Sequence, residues 1–265
     1  KGVGVYSSEQ KIQGFAGYLC ELLIIHYKSF ENVLKSASEW QYGGYIDIKK
    51  AGKTIGFKDP LIVIDPVDPK RNVASALSLE RLCEFIHYSR LFLESPSVDY
   101  FKKKKKLFVK RFPNSEVYAV IFQEKLLDDI IFSQLRKSAK YMFSILEKND
   151  FKPLSYGLFK KDEESGIVFE IEKYELSPVV KHLGPKIFDH SHWESFVKKY
   201  EKTFIDEDKV YTFRERVLLT PHDVIVSVMN GKEGLGKNLK TLAYRILKDD
   251  EALSFLRDKE FEIYI

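Results

Sequence analysis

The residues whose types and spacing could carry chemistry fall in four places. Asp65 and Asp68 stand three apart in Asp65-Pro66-Val67-Asp68-Pro69 and could offer two carboxylates to a divalent ion. The intervening prolines favour side chains that cap their own turn, so no metal is assigned to them. Asp189, His190 and His192 have ligand chemistry, but a third and fourth partner is not evident and they read as solvated loop residues. Gly231-Lys232-Glu233-Gly234-Leu235-Gly236-Lys237-Asn238 follows the phosphate-loop pattern Gly-x-x-x-x-Gly-Lys. Asn238 stands where a Ser or Thr would hold magnesium, so NTP hydrolysis is not expected. Two readings stay open there. Lys237, Asn238 and the N–H groups of a helix start could hold an RNA phosphate, or the segment is a helix-entry turn without a ligand. The run Lys102 to Lys106 either touches a nucleic-acid backbone or is a solvated linker. There is no convincing nucleophile with a nearby base, and no catalytic residue is assigned.

The elements that must position these residues can be read from periodicity. Ser7 and Gln10 at capping-box spacing predict a helix over 7–27, with Phe15, Tyr18, Leu19, Leu22 and Leu23 on its inner face. Gly14 and Gly17 near its start leave room for another backbone or a ligand. A second helix from Ser29 to about Trp40, strands over Tyr45–Ile48 and Leu61–Ile64, and a third helix from Ser78 to Ser95 follow. After Pro96 the composition shifts and the lysine run reads as a boundary or basic edge. Glu116–Gln123 reads as a strand, Asp128–Lys148 as a long helix, and Leu154–Lys160 with Gly166–Tyr174 as a hairpin. Strand, helix, hairpin is the opening of a ferredoxin-like unit. Beyond it come a short helix over Trp193–Tyr200, strands over Lys209–Leu219 and Val224–Met229, a helix over Asn238–Arg257 and a last strand over Phe261–Ile265.

Bulk properties narrow the classes. With 265 residues, 44% of them hydrophobic, the chain can bury two or three cores. Its 43 basic and 39 acidic residues give a net charge of only +4, so a surface for nucleic acid must come from patterning. Cys20 and Cys83, far apart in apolar helical segments, read as small core residues rather than zinc ligands. No apolar run is long enough to cross a bilayer and no signal-peptide pattern opens the chain, so a cytoplasmic protein is expected. The start at Lys1, without Met and directly before a strong helix, reads as that of a fragment.

Three blocks carry a resemblance: Gly4-Val5-Tyr6-Ser7, Gly14-Phe15-Ala16-Gly17-Tyr18-Leu19-Cys20-Glu21-Leu22-Leu23, and Asp65-Pro66-Val67-Asp68-Pro69-Lys70-Arg71-Asn72-Val73-Ala74. In order and spacing they resemble archaeal-type (class I) CCA-adding enzymes, which are tRNA nucleotidyltransferases. The likeness continues more loosely through Leu183-Gly184-Pro185 and Leu235-Gly236-Lys237-Asn238. It implies an α+β protein: a helical poly(A)-polymerase-like neck over residues 1–98, a ferredoxin-like body over 99–155 and 231–265, and an inserted α+β tail over 156–230. The family's catalytic head, with its Gly-Ser and Asp-x-Asp signature, is nowhere in these residues.

The resemblance also implies roles. Tyr6 matches a tyrosine that helps hold the incoming ATP or CTP, and Arg71 matches the arginine that reads its base. A guanidinium is a rigid fork of donors, suited to the acceptors of cytosine and adenine. Without the family, Tyr6 would be a residue packing at a helix entrance and Arg71 a surface ion pair. The matching family lysine upstream of Tyr6 falls before Lys1, and Ala16 replaces a frequent serine. The implied partners are tRNA, through its acceptor and TΨC arms, and the missing N-terminal catalytic domain, which would bind Mg²⁺; a second copy of the chain is kept as a candidate partner, and a membrane is not. The implied reaction is CCA addition from CTP and ATP, for which this chain alone would be inactive. Two rivals are a stand-alone, non-catalytic RNA-binding protein derived from such an enzyme, and a poly(A)-polymerase-like enzyme.

Overall fold

The computed structural model describes residues 2–7, 9, 11–50, 56–102, 112–173 and 175–258. Gln10, the lysines at 103–106 and the strand expected over 261–265 lie outside them.

The first unit is built on three helices, α1 (Gly17–Tyr27), α2 (Phe30–Ala37) and α3 (Leu79–Glu94), beside two short parallel strands, β1 (Gly44–Ile46) and β2 (Leu61–Val63). Ser29 and Ser78 cap α2 and α3 by accepting from the amides of Asn32 and Arg81. The helix expected from Ser7 begins only at Gly17, because Gly14 and Phe15 pair back onto residues 5 and 7: Phe15 N donates to Val5 O at 2.7 Å and Gly14 N to Ser7 O at 3.0 Å. A Cβ on Gly14 would lie 2.1 Å from Val5 O, so the close backbone approach expected at that glycine is present and only glycine permits it. Phe15, Leu19, Leu22 and Leu23 pack with Val33, Leu61, Val63 and Leu82 in one core, whereas Tyr18 is 40% exposed. Cys20 is half-buried, but Cys83 is exposed on α3 and not a core residue.

The second unit is an antiparallel sheet of order β4-β5-β3-β9, formed by β3 (Ser115–Gln123), β4 (Pro153–Lys161), β5 (Glu164–Glu172) and β9 (Tyr244–Lys248). α4 (Asp128–Lys148) and α6 (Pro221–Gly231) pack on one face, and α7 (Asp249–Asp258) covers the other through Ala252 and Leu256. β3 is buried on both faces, which explains its unbroken apolar run Val117–Phe122. Between β5 and α6 the chain makes a small separate sheet of order β6-β8-β7, from β6 (Val179–Lys186), β7 (Phe204–Asp206) and β8 (Lys209–Glu215), with α5 (His190–Lys199) packed on β6.

The hairpin β4–β5 and helix α6 share a core with β3 and α4. Two expectations are corrected. Val224–Met229 is helical despite its β-branched residues, because Thr220 and Asp223 form a reciprocal capping box with Pro221 in the first turn. The helix expected over Asn238–Arg257 is instead a series of turns, β9 and α7. Asp249, at φ 45°, breaks strand from helix while its Oδ1 accepts from Val117 N at 3.0 Å. None of the helices in the described residues is long and apolar enough to cross a membrane.

Candidate nucleotide and RNA interface

The turn from Asp65 to Asn72 leaves the end of β2 and is held by a dense set of bonds. Asn72, 3% exposed, has every side-chain position in use. Its Oδ1 accepts from Val63 N and Ala74 N, both at 2.9 Å, and its Nδ2 donates to Leu61 O at 3.0 Å and Asp59 Oδ2 at 2.8 Å. The turn is closed by Asp65 N to Arg71 O at 3.1 Å and Arg71 N to Asp68 O at 3.0 Å.

Asp65 is the buried anchor of this turn. Its Oδ1 accepts from Val67 N at 2.9 Å and from the Tyr18 hydroxyl at 3.1 Å, and its Oδ2 faces Arg71 Nη1 at 3.3 Å. The Val67 amide, then the Tyr18 hydroxyl and the Arg71 charge, hold its carboxyl below the usual aspartate range, against its burial. Asp68 Oδ1 accepts from Lys70 N at 3.0 Å. Both carboxylates thus cap their turn, and with a guanidinium already on Asp65 this pair does not fit a cation. The described residues contain no group of three or more His, Cys, Asp or Glu placed to hold a metal ion.

Arg71 forms the surface ion pair, and it is one-sided: its side chain is 63% exposed while that of Asp65 is 4% exposed. The guanidinium is oriented from behind and keeps most of its donors toward solvent. Tyr6 lies across the start of α1, where a Cβ on Gly17 would be 3.3 Å from its hydroxyl. Tyr18, Asp65 and Arg71 are linked by side-chain hydrogen bonds, and the Tyr6 hydroxyl lies close to Gly17, the residue before Tyr18. Periodicity alone places Tyr18 on a helix face, and local spacing makes Asp65 a turn cap or half of a carboxylate pair. Their link across 47 residues leaves no mark in local spacing.

Lys237 and Asn238 lie in the second unit, and the helix start that would have aimed a dipole there is absent. Gly236 N donates to Ser138 Oγ at 2.8 Å and Asn238 N to Gln134 Oε1 at 2.7 Å, so these two loop amides are used by α4. No helix N-terminus faces a phosphate at this loop, where the Lys237 side chain is exposed. Asp189 accepts from His192 N at 3.4 Å and contacts His192 Nδ1 at 2.8 Å, so with His190 it opens α5 rather than a loop. On the small sheet, Phe204, Tyr211 and Phe213 cluster, with Lys181 Nζ 4.3 Å from the Tyr211 ring centroid.

A helical unit presenting an oriented arginine, joined to an antiparallel α+β unit, matches two family models. One described as tRNA nucleotidyltransferase, second domain, covers residues 1–102; the other, CCA-adding enzyme, C-terminal domain, covers 114–249. The CCA-adding enzyme of Methanocaldococcus jannaschii is 39% identical over 244 residues, 87% of this chain and 54% of that protein. That of Methanosarcina acetivorans is 32% identical over 283 aligned positions, 100% of this chain and 62% of that protein. That of Archaeoglobus fulgidus is 34% identical over 253, 90% and 57% respectively. The chain belongs to the archaeal-type CCA-adding enzyme family. It spans 54% to 62% of the length of these relatives.

Proposed function

We propose that these 265 residues are the nucleotide-selecting and tRNA-holding part of a CCA-adding tRNA nucleotidyltransferase. The observation that carries this reading is Arg71, held from behind by the buried carboxylate of Asp65 with its remaining donors facing outward. Such a fork suits the acceptor edge of cytosine or adenine, while Tyr6 braces the nucleotide beside it. The strand order and helix placement of the second unit support a ferredoxin-like body, and the helical first unit a poly(A)-polymerase-like neck. On this reading Lys237 on the body meets a tRNA phosphate, and the aromatic cluster at Tyr211 offers bases a stacking surface. On this reading Mg²⁺ and the chemical step belong to carboxylates outside the described residues, among which no group of three or more His, Cys, Asp or Glu is placed to hold a metal ion.

The test is to incubate the chain with tRNA lacking CCA, labelled CTP and Mg²⁺. We expect tRNA binding without incorporation; incorporation would place the catalytic carboxylates within this chain, and failure to bind tRNA would remove the reading altogether.

A further inference from the structure

We infer that Arg136, carried on α4 of the second unit, is a positioning residue for the nucleotide pocket of the first. This rests on the assignment of Tyr6 to that pocket. Tyr6 sits on one arm of the folded segment 5–15, in a bridge with Phe15 on the other arm. The tip is tightly wound, with Ile12 N and Gln13 N both donating to Glu9 O and Gln13 at φ 54°. Three consecutive tip carbonyls are then gripped from two units. Lys11 O accepts from Arg136 Nη2 at 3.0 Å, Ile12 O from Arg81 Nε at 3.2 Å and Gln13 O from Ser78 N at 3.0 Å. Lys11 Nζ adds a second tie to α4, reaching Asp128 Oδ2 at 3.8 Å as well as Glu9 Oε2 at 2.9 Å.

Placing two guanidinium groups here is electrostatically costly, which argues against incidental contact. Burial pushes the Arg136 pKa down; Tyr156 and Glu80 act in the opposite sense, and the charge of Arg81 lowers it further. The Arg81 side chain is only 5% exposed and is offset by Glu84. Charged donors to backbone carbonyls give the strongest hydrogen bonds available to fix a loop. The tip of the Tyr6 loop is therefore held jointly by its own unit, through Arg81 and Ser78, and by the unit proposed to hold tRNA, through Arg136. This geometry registers the nucleotide pocket against the RNA.

The experiment uses the 265-residue chain as wild type, Arg136→Ala and Arg136→Lys, reading amide hydrogen exchange and labelled-CTP binding. Arg136→Ala should speed exchange of the Gly14 and Phe15 amides by about tenfold while the amides of β3 and β5 stay unchanged. It should also weaken CTP binding about three- to tenfold, the equivalent of one hydrogen bond, with Arg136→Lys recovering part of both effects. Unchanged exchange at Phe15 overturns the inference, as does faster exchange spread evenly over the sheet, which would make Arg136 a general stabiliser. If wild type binds no CTP, the pocket assignment fails instead, while the exchange result still decides whether Arg136 fixes the loop.

Discussion

The turn at Asp65–Asn72 and the loop at Gly231–Asn238 are both glycine- or proline-rich, charged and suggestive of ligand binding, yet the molecule uses them in opposite ways. In the first, a buried carboxylate and a saturated asparagine fix the backbone from inside, which frees the Arg71 guanidinium to point outward. In the second, two backbone amides that would greet a phosphate, those of Gly236 and Asn238, point inward onto Ser138 and Gln134 of α4, while the Lys237 side chain stays exposed. Whether such a segment is a site depends on where its donors are already committed, and a motif pattern does not record that.

The sharpest way to break this comparison is to fill the seat of the second loop. Gly234 has φ 68°, and a Cβ there would meet the Tyr141 ring at 2.1 Å. Gly234→Val should cost about 3 kcal/mol through backbone strain and overpacking, read as a lowered midpoint in chemical denaturation. An unchanged midpoint would mean the loop is not seated on α4. Next in size, Ser138→Ala leaves the buried Gly236 amide without its acceptor and should cost about 1–3 kcal/mol. In the first turn the effect moves from stability to selectivity. Arg71→Ala should cost no more than about 1 kcal/mol of stability, because buried Asp65 keeps its bonds from Val67 N and the Tyr18 hydroxyl. It should nevertheless cut the preference for CTP and ATP over UTP and GTP by about 1–3 kcal/mol in competition binding.

Smaller again is the dependence on pH. The Asp65 carboxyl titrates below its unfolded value, so its contribution is complete above about pH 4 and is lost as pH falls through the lower folded value. Nucleotide affinity should therefore show no Asp65-linked step between about pH 5 and pH 8 in wild type. A step in that window that disappears in Asp65→Asn would contradict the assigned geometry.

How much of this was legible in the sequence follows from how local each determinant is. Helix α4 and the capped α3 declare themselves through periodicity and serine caps, and the block from Asp65 to Ala74 marks its turn through paired prolines. Helix α6 was missed because the β-branched Val224, Ile225 and Val226 outweighed the capping signal at Thr220–Asp223, although that signal was readable. Strand β9 was missed because Tyr244–Lys248 pairs with β3, far away in sequence, and a helical period can be drawn straight through it. At the site, Tyr6 and Arg71 stand out only by family likeness. The parts played by Asp65, Tyr18 and Arg136 depend on contacts spanning 6, 47 and 125 residues.

Equilibrium binding decides whether this chain holds the upper half of tRNA beside its proposed nucleotide pocket. Affinities for a minihelix of the acceptor and TΨC arms and for an anticodon stem-loop should be compared across a salt series, for wild type and Lys237→Glu. Binding to the minihelix should be the tighter. The salt slope should become shallower by about one phosphate contact once Lys237 is replaced. Equal affinity for the two RNAs, with a slope indifferent to Lys237, would contradict that reading.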